Sequence, residues 1–269
     1  MVTLNPYLCQ ENATILRNEQ LAEHIYRLTL KSPHIAAAAQ PGQFVMVRVS
    51  DRFDPLLRRP FSLHQTTNNG TIQILFKIVG VGTKNLATMR PDQGLNLIGP
   101  LGKGFCFQGE GPFCLIGGGM GVAPLLFAAK VLAQKRANER IFVLLGGRTE
   151  KEMVVAPDFR TLGVKTYLAT EDGTIGHHGM VTDLMGSIVE SGGRWSAMAC
   201  GPMPMIQAVA KRCREYRWEC QVSIESFMAC GMGTCLGCAM PMREKEAGFF
   251  HVCSDGPVFN IQELGWYNG

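Results

Sequence analysis

Three cysteines within nine residues, Cys230, Cys235 and Cys238, followed by a fourth at Cys253, constrain this chain more than any other feature. The spacing C-x4-C-x2-C with a distant fourth cysteine is the plant-type pattern for a 2Fe–2S cluster. Four thiolates serve two irons, two to each, and three on one loop need a chain that curls round an inorganic core. Gly231, Gly233 and Gly237 are expected to supply that freedom, since glycine takes positive φ readily and permits close backbone approach. Their amides can then point at the sulfurs. The alternative is a structural zinc site, which ordinarily presents two short-spaced cysteine pairs rather than a triad and a single.

The chain has ten cysteines in 269 residues, and its start lacks both a basic n-region and an apolar h-region. A secreted disulfide scaffold is therefore not expected, and a cytoplasmic setting is. Cys9, Cys106, Cys114, Cys213 and Cys220 read as small apolar packing with reduced thiols. The formal charge of +4 comes with no basic run, which argues against nucleic acid as a partner. Gly111–Ala129 is uncharged and nearly long enough to span a membrane. Its glycines cluster at 117–119 and 121, so it reads as a buried strand, a tight turn and a helix start, with no membrane span.

Three zones follow along the chain. In residues 1–110, Gln43–Val49 alternates, Phe61–Gln65 is a short strand and Thr71–Val79 a longer one, with turn signals at Pro41-Gly42 and Asn68-Asn69-Gly70. Short strands at this spacing predict a small antiparallel barrel. In residues 111–222, the apolar strands Phe113–Ile116, Ile141–Leu145, Val164–Ala169, Trp195–Ala199 and Glu219–Ile224 alternate with helices at Val122–Gln134, Met180–Glu190 and Pro204–Tyr216. That order predicts a parallel α/β sheet. Residues 223–269 are cysteine-dense and short of regular periodicity. The expected class is multidomain α+β: barrel, nucleotide lobe and a small C-terminal cluster-binding domain.

Gly117-Gly118-Gly119-Met120-Gly121-Val122-Ala123-Pro124 follows a strand and opens a helix, where amides suit a pyrophosphate. It is not the G-x-G-x-x-G fingerprint, because Val122 stands where the third glycine would fall. The acidic residue expected after the second strand is missing as well: Gly146-Gly147-Arg148 follows Ile141–Leu145. The loop instead resembles the nicotinamide lobe of the ferredoxin–NADP reductase superfamily. A second feature of that superfamily, a Cys-Gly-Pro turn beside the nicotinamide, stands here as Cys200-Gly201-Pro202. In the β zone, Arg59-Pro60-Phe61-Ser62 resembles its R-x-Y-S flavin motif, with Phe61 where tyrosine is common.

By this resemblance Arg59 grips a phosphate, Pro60 and Phe61 lie by the isoalloxazine and Ser62 reaches the flavin edge. Leu75, Phe76, Lys77, Gly82 and Thr83 fall on the strand and turn that hold the ribityl chain and pyrophosphate. Gly118, Gly119, Gly121 and Pro124 belong to the NAD loop, and Leu97–Phe105 closes the barrel. The order of barrel, nucleotide lobe and cysteine tail, with Ser223–Cys238 and Val252–Phe259, is similar to the electron transfer subunits of the class 1B, NAD-dependent dihydroorotate dehydrogenases.

That resemblance implies an FAD-binding domain (residues 1–110), an NAD-binding lobe (111–222) and a 2Fe–2S domain (223–269). It implies a separate FMN-containing catalytic subunit, two of each in a heterotetramer, and a role in pyrimidine biosynthesis. Electrons would pass from the partner's FMN through the cluster and FAD to NAD. No catalytic acid or base is then required of this chain, and its six scattered histidines read as surface or structural. The small subunit of an NADH-dependent ferredoxin–NADP oxidoreductase and the gamma subunit of a sulfhydrogenase share these features. Arg148 could grip a 2′-phosphate and favour NADP, or could be a solvated loop residue. A non-enzymatic redox sensor or zinc-held adaptor is the remaining alternative.

Overall fold

The computed structural model describes residues 7–50, 52–109, 111–189, 194–242 and 248–265. The chain divides into two compact units. One runs to Gly104 and adds Glu225–Met240 and Phe249–Pro257; the other takes Phe105–Ile224 and the rest of the described tail. The tail is therefore divided between the two units, and all four spaced cysteines fall in the first.

The first unit is a closed antiparallel barrel. Its strands are β1 (Cys9–Ala22), β2 (Ile25–Lys31), β3 (Phe44–Val47), β4 (Arg59–Thr67), β5 (Thr71–Lys77) and β6 (Gly94–Leu101). They are ordered β1-β2-β5-β4-β3-β6, with β6 returning to β1 from Cys9↔Gly99 to Thr14↔Gly94. Ile15, Leu28, Leu30, Leu63, Ile72, Ile74 and Leu97 are fully buried. The short helix α1 (Pro33–Ala38) adds Ile35 to this core, and its first turn is capped by Glu11, which accepts from Ser32 Oγ (2.5 Å) and Ile35 N–H (3.1 Å). The second helix, α2 (Val81–Thr88), is tied down at its C-terminus by Asn18 Nδ2, which donates to the carbonyls of Leu86 and Met89, both at 2.9 Å.

β3 departs from its sequence pattern. Alternation over Gln43–Val49 predicts one wet face, yet all four residues of β3 are buried. The outer face is covered by the cysteine loop: a Cβ on Gly231 would stand 2.5 Å from Met46 Cγ and 2.7 Å from its Sδ. Further along the tail, Lys103 N–H donates to Gly256 O at 2.6 Å.

The second unit is a seven-stranded sheet. β7 (Phe113–Gly118), β8 (Ile141–Gly147), β9 (Lys165–Thr170), β10 (His177–His178), β11 (Ser196–Cys200) and β12 (Glu219–Ser223) are mutually parallel in the order β10-β9-β8-β7-β11-β12. Their connections include α3 (Ala123–Lys135), α4 (Ala156–Thr161), α5 (Asp183–Val189) and α6 (Met203–Tyr216). From the tail, β13 (Ala239–Pro241) pairs with β14 (Phe249–His251), and β15 (Val258–Asn260) joins β12 antiparallel. Every residue of the central strands β7 and β11 is buried, as expected for strands covered on both faces.

Gly111–Ala129 resolves into β7, a 3-10 turn at Gly119–Val122 and the start of α3. Among the described residues no helix is long and apolar enough to cross a membrane. The helix expected over Met180–Glu190 begins only at Asp183, whose carboxylate accepts the Met180 N–H at 2.8 Å and closes a turn ahead of it. Glu190 lies outside the described residues.

At the N-terminal end of β11, Trp195 is 1% exposed, stacked on Trp218 at 4.9 Å between centroids and tilted against Phe142 at 4.7 Å. Trp195→Ala should destabilise this unit by about 3–5 kcal/mol through lost burial and a residual cavity. Urea unfolding followed by near-UV circular dichroism checks this, and an unshifted midpoint would contradict it.

Candidate functional site

The cysteine loop curls at Gly231 (φ 74°) and Gly233 (φ 82°), as expected of glycine. Gly237 does not share that role. The third left-handed residue is Leu236 (φ 57°), while a Cβ on Gly237 would meet only Cys235 Sγ at an ordinary 3.6 Å. The curl turns main-chain amides onto sulfur: Met232 N–H and Cys235 N–H donate to Cys230 Sγ, both at 3.4 Å. Gly233 N–H donates to Cys253 Sγ at 3.1 Å, and Cys253 N–H to Cys238 Sγ at 3.4 Å.

The thiols fall into two pairs. Cys238 and Cys253 are buried, with sulfurs 3.2 Å apart, and Cys230 is hydrogen-bonded to Cys235, which is exposed. Burial opposes ionisation of Cys230, but the amides of Met232, Cys235 and Thr234 outweigh it and bring the thiol down to about 7. Burial, and then the Cys238 sulfur, push Cys253 up to about 12 against the Gly233 amide. Four such thiolates need a compensating positive charge, and two irons held by two sulfurs each fit this arrangement of donors.

The flavin-motif residues flank an opening in the pairing of β4 with β5. Residues 59–62 of β4 pair only with β3, in the register Val47↔Arg59 to Phe44↔Ser62. Pairing of β4 with β5 begins only at Leu63↔Ile74, and Leu75–Lys77 of β5 pair with β2 instead. Between these two stretches the wall is unzipped. Arg59, Pro60, Phe61 and Ser62 lie on one side and Leu75, Phe76 and Lys77 on the other, with Phe61 and Phe76 edge to face at 5.9 Å. Leu75 and Phe76 are themselves buried.

The two neighbouring arginines have separate tasks. Arg58 serves the barrel, donating to Asn96 O at 3.0 Å and Asn96 Oδ1 at 2.5 Å. Arg59 lies against the first turn of α2, where a Cβ on Gly82 would stand 3.3 Å from its Nε. An arginine fork beside helix amides suits a diphosphate. The Thr83 hydroxyl accepts the N–H of Val79 (2.9 Å) and Gly80 (3.1 Å) and donates to Gly80 O (3.0 Å). It shapes the turn.

In the second unit a cavity of about 320 Å³ opens at the C-terminal ends of β7, β8 and β9, beside the switch point between β7 and β11. Gly118, Gly119 and Pro202 line it. Gly121, Pro124, Cys200 and Gly201 are not on its wall. Gly121 lies hard against Cys200 O and Gly201 Cα, so a side chain there would force the two turns apart, and a side chain on Gly118 would displace that of Met205. Arg148 does reach the cavity, and with it come Glu152 and Glu171, which reading for an acidic residue directly after β8 did not find. The signal was present in Arg148-Thr149-Glu150-Lys151-Glu152, where the acid stands four residues beyond the arginine.

Of the remaining cysteines, Cys114, Cys213 and Cys220 are buried and Cys9 is half-buried, whereas Cys106, expected in packing, is exposed. Among the histidines only His64 is fully buried.

Comparison with known proteins agrees with this layout. Residues 13–105 match the oxidoreductase FAD-binding domain, 115–211 the oxidoreductase NAD-binding domain, and 225–265 the iron–sulfur cluster binding domain of dihydroorotate dehydrogenase B. The dihydroorotate dehydrogenase B (NAD(+)) electron transfer subunit of Geobacillus thermodenitrificans is 37% identical over 260 residues, covering 95% of this chain and 98% of the relative. That of Desulforamulus reducens is 33% identical over 258 residues, with the same coverage. A solved chain of the NADH-dependent reduced ferredoxin-NADP oxidoreductase superposes with a TM-score of 0.85 at 27% identity, covering 96% of this chain and 91% of that one. The chain belongs to the family of dihydroorotate dehydrogenase B electron transfer subunits, and carries that family's FAD-, NAD- and cluster-binding domains.

Proposed function

We propose that this chain conducts electrons between a dihydroorotate-oxidising, FMN-containing catalytic subunit and NAD, in the cytoplasm and in pyrimidine biosynthesis. In this reading residues 1–110 serve FAD, 111–222 serve NAD and 223–269 serve the 2Fe–2S cluster, in a heterotetramer of two subunits of each kind. When bound, FAD exchanges a hydride with NAD on one side and single electrons with the cluster on the other.

The observation that carries the reading is the position of β3. Its Met46 is covered on the outer face by the Gly231 turn of the cysteine loop, and is paired in register with Pro60 of the flavin motif. A single strand thus separates the cluster loop from the flavin opening, and a short separation between redox centres is what one-electron transfer requires.

The residues of the chain act by position. Arg59 and the first turn of α2 bind a diphosphate, Phe61 and Phe76 give the opening an apolar wall, and Ser62 offers a hydroxyl. Gly118 and Gly119 let a second diphosphate approach the NAD cavity closely. Cys230, Cys235, Cys238 and Cys253 hold the irons, and the amides on their sulfurs favour the thiolate. The docking face for the catalytic subunit is the cysteine tail, where Phe227 (96% exposed), Phe249 and Leu236, the last next in sequence to the exposed Cys235, put large apolar side chains into solvent.

Three outcomes test this. Cys235→Ser should abolish the cluster's visible absorbance and electron delivery to the catalytic subunit, while NADH still bleaches the flavin. A folded variant that loses flavin reduction as well would refute the division of labour. Gly82→Val should displace Arg59 and weaken FAD binding by about tenfold or more, the effect of losing one charge-assisted contact, measured by flavin titration of the stripped protein. Phe227→Asp should reduce co-purification with the catalytic subunit and leave cluster and flavin content intact. An undiminished complex would move the docking face elsewhere.

A further inference from the structure

The NAD cavity contains a charged arrangement that diphosphate binding does not need. Arg148 follows β8, Glu152 lies on the 3-10 turn just after it, Glu171 follows β9, and all three line the cavity. Arg148 Nε and an Nη donate to Glu152 Oε1 at 3.2 and 2.8 Å, and the Arg148 main-chain N–H donates to Oε2 at 3.0 Å. One carboxylate therefore grips both the side chain and the backbone of the same arginine. The Glu152 side chain is only 18% exposed, against 69% for Arg148, so the acid is the fixed member of the pair.

Glu171 brings a second negative charge near the same guanidinium, and the strand ends that carry it are tied by Glu171 N–H to Gly147 O at 3.1 Å. Two carboxylates thus face one cation, and this end of the cavity has net charge −1. The glycine loop lies at the switch point, and the cavity runs past it from Pro202 of the Cys200 turn at one end to Arg148, Glu152 and Glu171 beyond β8 and β9 at the other. A dinucleotide with its diphosphate on the loop and its nicotinamide beside that turn has its adenosine ribose at the charged end.

We propose that Glu152 is the specificity-determining residue of this subsite: by holding Arg148 it denies a 2′-phosphate its only arginine on the cavity wall among the described residues, and so selects dinucleotides with a free adenosine 2′-hydroxyl. The chemistry is asymmetric. A ribose hydroxyl is a donor and is content beside a carboxylate, whereas a phosphate monoester carries nearly two negative charges and needs a free fork. The arginine that in isolation suggests NADP is thereby turned to the service of NAD. The inference rests on the cavity being the NAD site.

The test uses the flavin-loaded chain and two probes, 5′-AMP and adenosine 2′,5′-bisphosphate, titrated calorimetrically into the wild type, Glu152→Gln, Glu152→Asp and the double variant Glu152→Gln/Arg148→Ala. Glutamine keeps an acceptor for the Arg148 amide while removing the charge. The ratio of bisphosphate to monophosphate affinity should rise about tenfold in Glu152→Gln, the scale of one charge-assisted contact, and fall back in the double variant. Glu152→Asp, which retains the charge, should stay near the wild type. With NADPH as reductant, the gain should appear in KM rather than kcat. An unchanged ratio in a folded Glu152→Gln that still binds 5′-AMP overturns the inference, as does a gain that survives loss of Arg148. Failure of 5′-AMP to bind the wild type would overturn the placement of NAD, and the inference with it.

Discussion

The contact between Gly231 and Met46 is the constraint on which the first unit depends. A barrel strand with one wet face would leave Met46 in water; here the cysteine loop lies over it so closely that residue 231 has no room for a side chain. The closure works in both directions. The loop has little regular structure of its own and draws its rigidity from the strand beneath. The strand gains a second buried face, and passes the position of the loop to β4 through the register Met46↔Pro60. The sulfurs and the flavin opening are thereby referenced to the same four residues. A polar side chain in place of Met46 would disturb both at once.

The parting of β4 from β5 shows how a closed barrel can interrupt its own pairing without a dedicated loop. Closing a sheet normally pairs every strand on both edges. Here β4 and β5 part company beyond Leu63↔Ile74, each keeping its other neighbour. Parted strand edges are a liability in an ordinary sheet and an asset where a planar ring system is to be bound. Splitting the two arginines between tasks follows from the same geometry. Arg58 reaches across β3 to Asn96 and holds the wall closed, which leaves Arg59 beside α2.

Much of this was legible in the sequence, and what was not has physical reasons. The strands β7 and β8 are made of apolar residues and glycine, and β11 departs from that only at Ser196, so all three stand out as apolar runs. β1, the longest strand, did not, because only Ala13 and Ile15 along it are fully buried and two bulges interrupt its register. The four cysteines were readable from spacing, which reflects covalent demand. The left-handed turn at Leu236 was not, since no rule of residue preference places a leucine there. The motif residues of the nucleotide lobe were identified as a group, but the sequence does not separate Gly118, Gly119 and Pro202, on the cavity wall, from Gly121 and Cys200, which lock the turns behind it. Arg148 was ambiguous for the same reason: the answer lies in where the Glu152 carboxylate points.

The two thiol pairs are unequal in burial and in how the backbone serves them. Cys238 and Cys253 are sealed from solvent, 2% exposed each, and the pressure of burial on Cys253 outweighs its one amide. Cys230 and Cys235 lie outward, and Cys230 gathers enough main-chain donors to favour its thiolate in spite of partial burial. Charge on the outer pair is therefore the cheaper to place, both because water reaches it and because the backbone already solvates it. The curl at Gly231, Gly233 and Leu236 that brings amides to sulfur belongs to the same nine-residue stretch that carries three of the four thiols, so the donors and the sulfurs they solvate are fixed together.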